Sequence, residues 1–149
     1  MLPMREGEPG EFFTWAELQR TSQPLPNVAP LWCRINLRVL VSEVLDPLRR
    51  DLGKPVRVTS GYRSGPVNAA VKGSPNSKHK DGMAADITVE GMTSDELVRF
   101  IVALGLPFDQ VIAYAPERGG HVHIQVAPRN RQQVLWAPRG GGYETFRLA

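Results

Sequence analysis

Residues 84–89, Ala-Ala-Asp-Ile-Thr-Val, and residues 121–126, His-Val-His-Ile-Gln-Val, change character at every second position. Side chains of an extended strand alternate between the two faces of a sheet, so each stretch has one apolar face and one that carries chemistry. In the first, Ala85, Ile87 and Val89 share a face, and Ala84, Asp86 and Thr88 share the other. In the second, Val122, Ile124 and Val126 point one way, and His121, His123 and Gln125 point the other. The apolar faces must be buried under another layer. An acid and two imidazoles are then left on the face without that layer. His79, the remaining one of the chain's three histidines, lies in a loop seven residues before Asp86 and can fold back over the same face.

The covering layer is legible as helices. From Leu31 to Leu52, residues Ile35, Leu37, Leu40, Val41, Val44, Leu45, Leu48 and Leu52 recur in steps of three and four and describe one helical face. Pro47 falls inside this run, which predicts a kink or break near Asp46, and Gly53 ends it. Thr14 with Glu17, and Thr93 with Glu96, have capping-box spacing and predict a short helix near Trp15 and a longer one reaching about Leu104. Ser64 caps a further short helix to Val71. Residues 55–59 and 109–114 read as strands, and the turn at 116–120 joins the second of these to 121–126 as a hairpin. Residues 134–136 suggest a further edge strand. The order of elements predicts a single α+β domain over 1–149, with a mainly antiparallel sheet and helices on one face. Residues 1–10 read as a loose arm and 140–149 as a tail.

Composition narrows the function. Hydrophobic residues are 42% and charged residues 22%, as in globular domains. Lys and Arg exceed Asp and Glu by 18 to 15, a net charge of +3, with no basic run and no DNA- or RNA-reading motif, so no nucleic-acid partner is expected. The lone Cys33 excludes an internal disulfide and a Cys-based zinc finger, and reads as a small buried residue. No stretch approaches the roughly 18 apolar residues of a membrane span, and the N-terminus lacks a signal-peptide pattern. The expectation is a protein made in the cytoplasm, without membrane insertion, and monomeric.

Two imidazoles and a carboxylate make a zinc set. Three protein ligands leave the fourth position open to water, whose pKa zinc lowers to roughly 7. The motifs around these residues carry a resemblance. Ser60-Gly-Tyr-Arg-Ser64, Val67-Asn-Ala-Ala-Val71, Ser77-Lys-His-Lys-Asp-Gly-Met-Ala-Ala-Asp86 and His121-Val-His-Ile124 resemble the zinc D-alanyl-D-alanine carboxypeptidase family. The Ser-x-His-x-x-Gly-x-Ala-x-Asp string is matched at Ser77, His79, Gly82, Ala84 and Asp86, and Phe13-Thr-Trp-Ala-Glu-Leu18 resembles the opening of short, phage-type members.

The resemblance implies a Hedgehog/DD-peptidase fold with one zinc ion held by His79, Asp86 and His123. It implies hydrolysis of a peptide bond in peptidoglycan stem peptides or cross-bridges, of carboxypeptidase or endopeptidase type, with a zinc-bound water as nucleophile. Arg63 matches the arginine directed at a substrate carbonyl or carboxylate, a role that suits a forked, permanent cation. Ser77 is expected to steady His79 and contribute to substrate binding, and Gly82 to supply a backbone angle forbidden to other residues. The chain departs from the family at the base: Gly120 stands where many members carry an acid. Glu117 and His121 are both candidates for the proton-transfer role. The departure keeps an alternative open, a catalytically weak or inactive zinc-containing wall-binding or virion assembly module. By the same analogy the protein is expected to be a phage or prophage product, an endolysin acting at the cell wall or carried in a virion.

Overall fold

A computed structural model describes residues 7–148. Six strands form one sheet in the order β1-β2-β4-β3-β5-β6: Arg57–Ser60, Ala84–Thr88, Val122–Gln125, Gln110–Tyr114, Gln133–Ala137 and Glu144–Thr145 for β1, β2, β4, β3, β5 and β6 respectively. All neighbouring pairs are antiparallel except β3 and β5, which run parallel. The fold is α+β with a mainly antiparallel, mixed sheet. Residues 133–137 are therefore not an edge, because β6 pairs outside them. The segment read as a tail supplies that strand, and its Phe146 is buried in the core.

The sheet separates two environments. Ala85, Ile87, Val111, Ala113, Val122 and Ile124 join one apolar core with Leu37, Leu40, Leu45, Leu48, Leu97 and Ile101 from the helices. Fully burying each large side chain of this set contributes roughly 1.5–3 kcal/mol. The alternate positions, Asp86, Gln110, Ile112, Tyr114, His123 and Gln125, line a cleft on the opposite face. Helices α1 (Trp15–Leu18) and α5 (Ser94–Ala103) both begin with full capping boxes, Thr14 with Glu17 and Thr93 with Glu96. Helix α4 (Gly65–Ala70) is capped by the Ser64 hydroxyl. Among the described residues, no helix is long and apolar enough to cross a membrane.

Pro47 does not break the long helical run. Helix α2 (Leu31–Leu40) passes into a π-helical stretch, Val41–Leu45, which leads into α3 (Asp46–Leu52) with Pro47 in its first turn. Proline has no N–H to donate and its ring crowds the preceding turn; one wider turn before it relieves both problems while the apolar stripe stays on the core. Val41, Val44 and Leu45, all in the wide turn, are fully buried. Asp46 at its end is buried too, and its carboxylate accepts from the backbone N–H groups of Glu11 (2.8 Å) and Phe12 (3.2 Å). Residues 7–10, read as part of a loose arm, are likewise engaged: Glu8 accepts from Trp15 N and the Gly7 carbonyl from Trp15 Nε1. The rest of that arm lies outside the described residues. Replacing Asp46 by Ala leaves two backbone donors without their acceptor and should lower stability by about 1–3 kcal/mol, read as a shifted urea midpoint.

Candidate metal centre

Register brings the first two candidate ligands together. In the β2–β4 ladder Asp86 lies directly opposite His123, so their side chains rise side by side from the cleft face. His79 arrives from above on a 3-10 turn, Lys78–Asp81, between the cleft loop and β2. Two features hold that turn. The Ser77 hydroxyl accepts from His79 N at 3.2 Å, and Gly82 closes the turn at φ 74°. A Cβ on Gly82 would also collide with the Cys33 carbonyl oxygen of α2, so the position excludes side chains on two counts.

The Ser60-Gly-Tyr-Arg63 motif supports the same histidine from below. A bulge between Val58 and Ser60 bends β1 beside Asp86. Gly61 passes so close to the Leu18 carbonyl of α1 that a Cβ there has no room, and its own carbonyl meets His79 Nδ1 at 2.7 Å. Tyr62 N donates to Leu18 O at 2.7 Å, and Arg63 N donates to His79 O at 3.1 Å. The Arg63 guanidinium is anchored at three points: Nε to Ser60 Oγ (2.9 Å), Nη1 to Asn68 Oδ1 (3.3 Å) and Nη2 to Asp86 Oδ2 (3.3 Å).

At the centre, Asp86 Oδ1 lies 3.2 Å from His79 Nε2 and 3.1 Å from His123 Nδ1. The other ring nitrogens are already committed, His79 Nδ1 to the Gly61 carbonyl and His123 Nε2 to Gln125 Oε1 at 2.7 Å. Both outer partners are acceptors, so the outer nitrogens carry the protons and the inner ones are left with lone pairs. Two lone pairs facing one carboxylate oxygen repel unless a cation lies among them. The 3.1–3.2 Å separations match the roughly 3.3 Å edge of a tetrahedron with bonds of about 2.0–2.1 Å, the zinc–nitrogen range. The donor set therefore fits a metal ion such as zinc, and among the described residues His79, Asp86 and His123 form the group able to hold one.

The cleft around this group has a volume of about 530 Å³. Arg63, Ser77 and His121 line it. His121 Nε2 is 3.9 Å from Asp86 Oδ2, and its ring stacks on Tyr114 at 4.3 Å between centroids. Burial pushes the His121 pKa below its usual value, against the pull of Asp86. Glu117 is not brought to the site; it is exposed on the 3-10 turn Pro116–Arg118 and does not line the cleft. Cys33 is buried, and burial followed by the nearby Asp81 pushes its thiol up to about 11, which makes it an inert packing residue.

Sequence reasoning passed over three groups here. Tyr114 meets Tyr143 hydroxyl to hydroxyl at 3.2 Å and forms a cleft wall. Gln125 donates from Nε2 to Asp109 Oδ2 at 2.8 Å. Asp109 in turn accepts from Arg131 N, Nε and Nη2 at 3.0, 2.9 and 2.9 Å. The one signal in the sequence was that Gln125 shares a strand face with His121 and His123; nothing local links Asp109 to Arg131.

A family model described as peptidase M15 matches residues 13–125. No curated protein matches the chain. The matched span contains all three candidate ligands, Arg63 and His121.

Two outcomes follow from this geometry. Gly82→Ala should lower stability by about 1–3 kcal/mol and loosen His79, so that a folded preparation competes less well with a chelator for zinc. Arg131, then burial and Gln125, set the Asp109 pKa, with the net effect of lowering it from 3.8 to about 2. The ionised form is thus favoured by folding, and its contribution is complete above about pH 4 and lost as pH falls toward 2. Urea midpoints of the parent and of Asp109→Asn should accordingly converge over that interval.

Proposed function

The chain belongs to the peptidase M15 family, metallopeptidases of the zinc D-alanyl-D-alanine carboxypeptidase type, and on that premise we propose that it is a zinc-dependent hydrolase of peptide bonds in bacterial peptidoglycan. The bond lies in a stem peptide or a cross-bridge, and the cut is of carboxypeptidase or endopeptidase type. The observation that carries this reading is the convergence of His79 Nε2, His123 Nδ1 and Asp86 Oδ1 at the floor of an open cleft.

Zinc held by these groups supplies Lewis acidity, polarising a substrate carbonyl and making water acidic enough to deprotonate near neutral pH. The remaining work falls to side chains. His121 Nε2 accepts the proton that water loses as it attacks the carbonyl carbon, and returns it to the amine nitrogen as the C–N bond breaks. Tyr114, stacked on the imidazole, keeps that ring at the cleft wall. Arg63 spends three of its five N–H groups on Ser60, Asn68 and Asp86, which leaves two for the negative charge that grows on the substrate oxygen. Lys72 and Lys78 line the same cleft, and Asp86 is the only carboxylate among the lining residues. That balance favours peptides that carry carboxylates of their own, as stem peptides do.

Gly120, in place of an acid, motivates the second reading, a metal-holding wall-binding module without turnover. Purified cell walls incubated with the zinc-loaded protein separate the two. Hydrolysis releases new amino termini, stops with a chelator and returns with zinc; retention on walls without release supports the module. In the hydrolase, His121→Ala should reduce kcat by about 10²–10⁴ while zinc content stays at one per chain. Glu117→Ala, outside the cleft, should change kcat little.

A further inference from the structure

Asp109 is buried immediately before β3, 3% exposed, and its carboxylate is fixed by three N–H groups of Arg131. An ionised carboxylate only accepts hydrogen bonds. The side-chain amide of Gln125, also buried, therefore has one workable orientation: its NH2 toward Asp109 Oδ2 and its Oε1 toward His123 Nε2. An amide oxygen only accepts, so His123 must carry its proton on Nε2. The lone pair is then left on Nδ1, the atom 3.1 Å from Asp86 Oδ1. The opposite amide orientation would set oxygen against carboxylate and would turn the His123 proton inward, where it blocks ligation.

We infer that Gln125, locked by Asp109 and Arg131, is a positioning residue that selects the ligating tautomer of His123 before any metal arrives. The inference rests on the metal-centre reading of the cleft but goes beyond it, because it assigns a task to residues that are not among the candidate ligands. His79 gets the same service from a backbone carbonyl, that of Gly61, which no substitution of a side chain can turn round. The two ligands thus differ in how readily they can be spoiled. His79 depends on the main chain, and His123 depends on a side-chain relay that ends at the half-exposed Arg131 on the surface.

The test uses the full chain and two readouts. Long-range proton–nitrogen spectra of the metal-free protein, taken at a pH where the ring is neutral, report which His123 nitrogen is protonated. Competition with a chromogenic chelator reports zinc affinity. The parent should show the Nε2–H form. Gln125→Leu and Asp109→Asn should each shift His123 toward a mixture of tautomers and weaken zinc binding by about tenfold to a hundredfold. Asp109→Asn serves if Gln125→Leu does not fold, since it leaves the residue beside the histidine in place. Folded variants with unchanged His123 nitrogen shifts and unchanged zinc affinity would overturn the inference. A parent that shows the Nε2–H form yet binds no zinc would instead sink the metal-centre reading and leave the tautomer assignment standing.

Discussion

Asp86 Oδ1 sits between two imidazole nitrogens left without protons, because each ring donates from its outer nitrogen to an acceptor oxygen. An arrangement of acceptors pointing at one another is unfavourable in a buried setting, where unscreened repulsion is strong. It persists because each group is held from behind. Arg63 and the Thr59 hydroxyl engage Asp86, the former at Oδ2 and the latter at its backbone carbonyl. Gly61 and Ser77 hold His79, and Gln125 holds His123. Much of the surrounding structure can be understood as bracing for this one convergence: the bulge in β1, the close pass of Gly61 under α1, and the left-handed Gly82 against α2.

The sheet makes that bracing possible by dividing its side chains strictly. One face is sealed by the helical layer and supplies the hydrophobic stabilisation; the other is free to carry polar groups that would destabilise a core. Because the period is two, a one-residue slip of β2 against β4 would send Asp86 into the core and bring Ala85 and Ile87 to the cleft beside His123. Burial of the apolar face therefore enforces the register that sets Asp86 opposite His123. Stability and site geometry are coupled through the same ladder.

Much of this was readable from residues in order. The alternation at 84–89 and 121–126 separated core from cleft correctly, and the capping pairs at Thr14 and Thr93 began helices where expected; the stripe from Leu37 to Leu48 is one buried covering face, but Ile35, read on that face, is exposed. The departures have physical causes. Pro47 announces a disturbed helix, but whether the chain breaks or widens into a π turn depends on how strongly Val41, Val44 and Leu45 are held by the core. Residues 134–136 read as an edge because the two-residue strand that covers them is too short to show a pattern. Glu117 has the right chemistry for a base, yet the turn that carries it points the carboxylate to solvent.

Periodicity, capping and turn chemistry are local, acting over a few residues, so the chain by itself determined its helices, most of its strands, and which side chains share a face. The motif match went further and named three candidate metal ligands from distant stretches. Only the tertiary structure decided what stands behind those ligands: that Gly61 faces His79, that Arg63 is tied to Asp86, and that Arg131 reaches His123 through Asp109 and Gln125. Each of those contacts joins elements whose separation is set by strand register and helix packing, and a hydrogen bond tolerates errors of only a few tenths of an ångström.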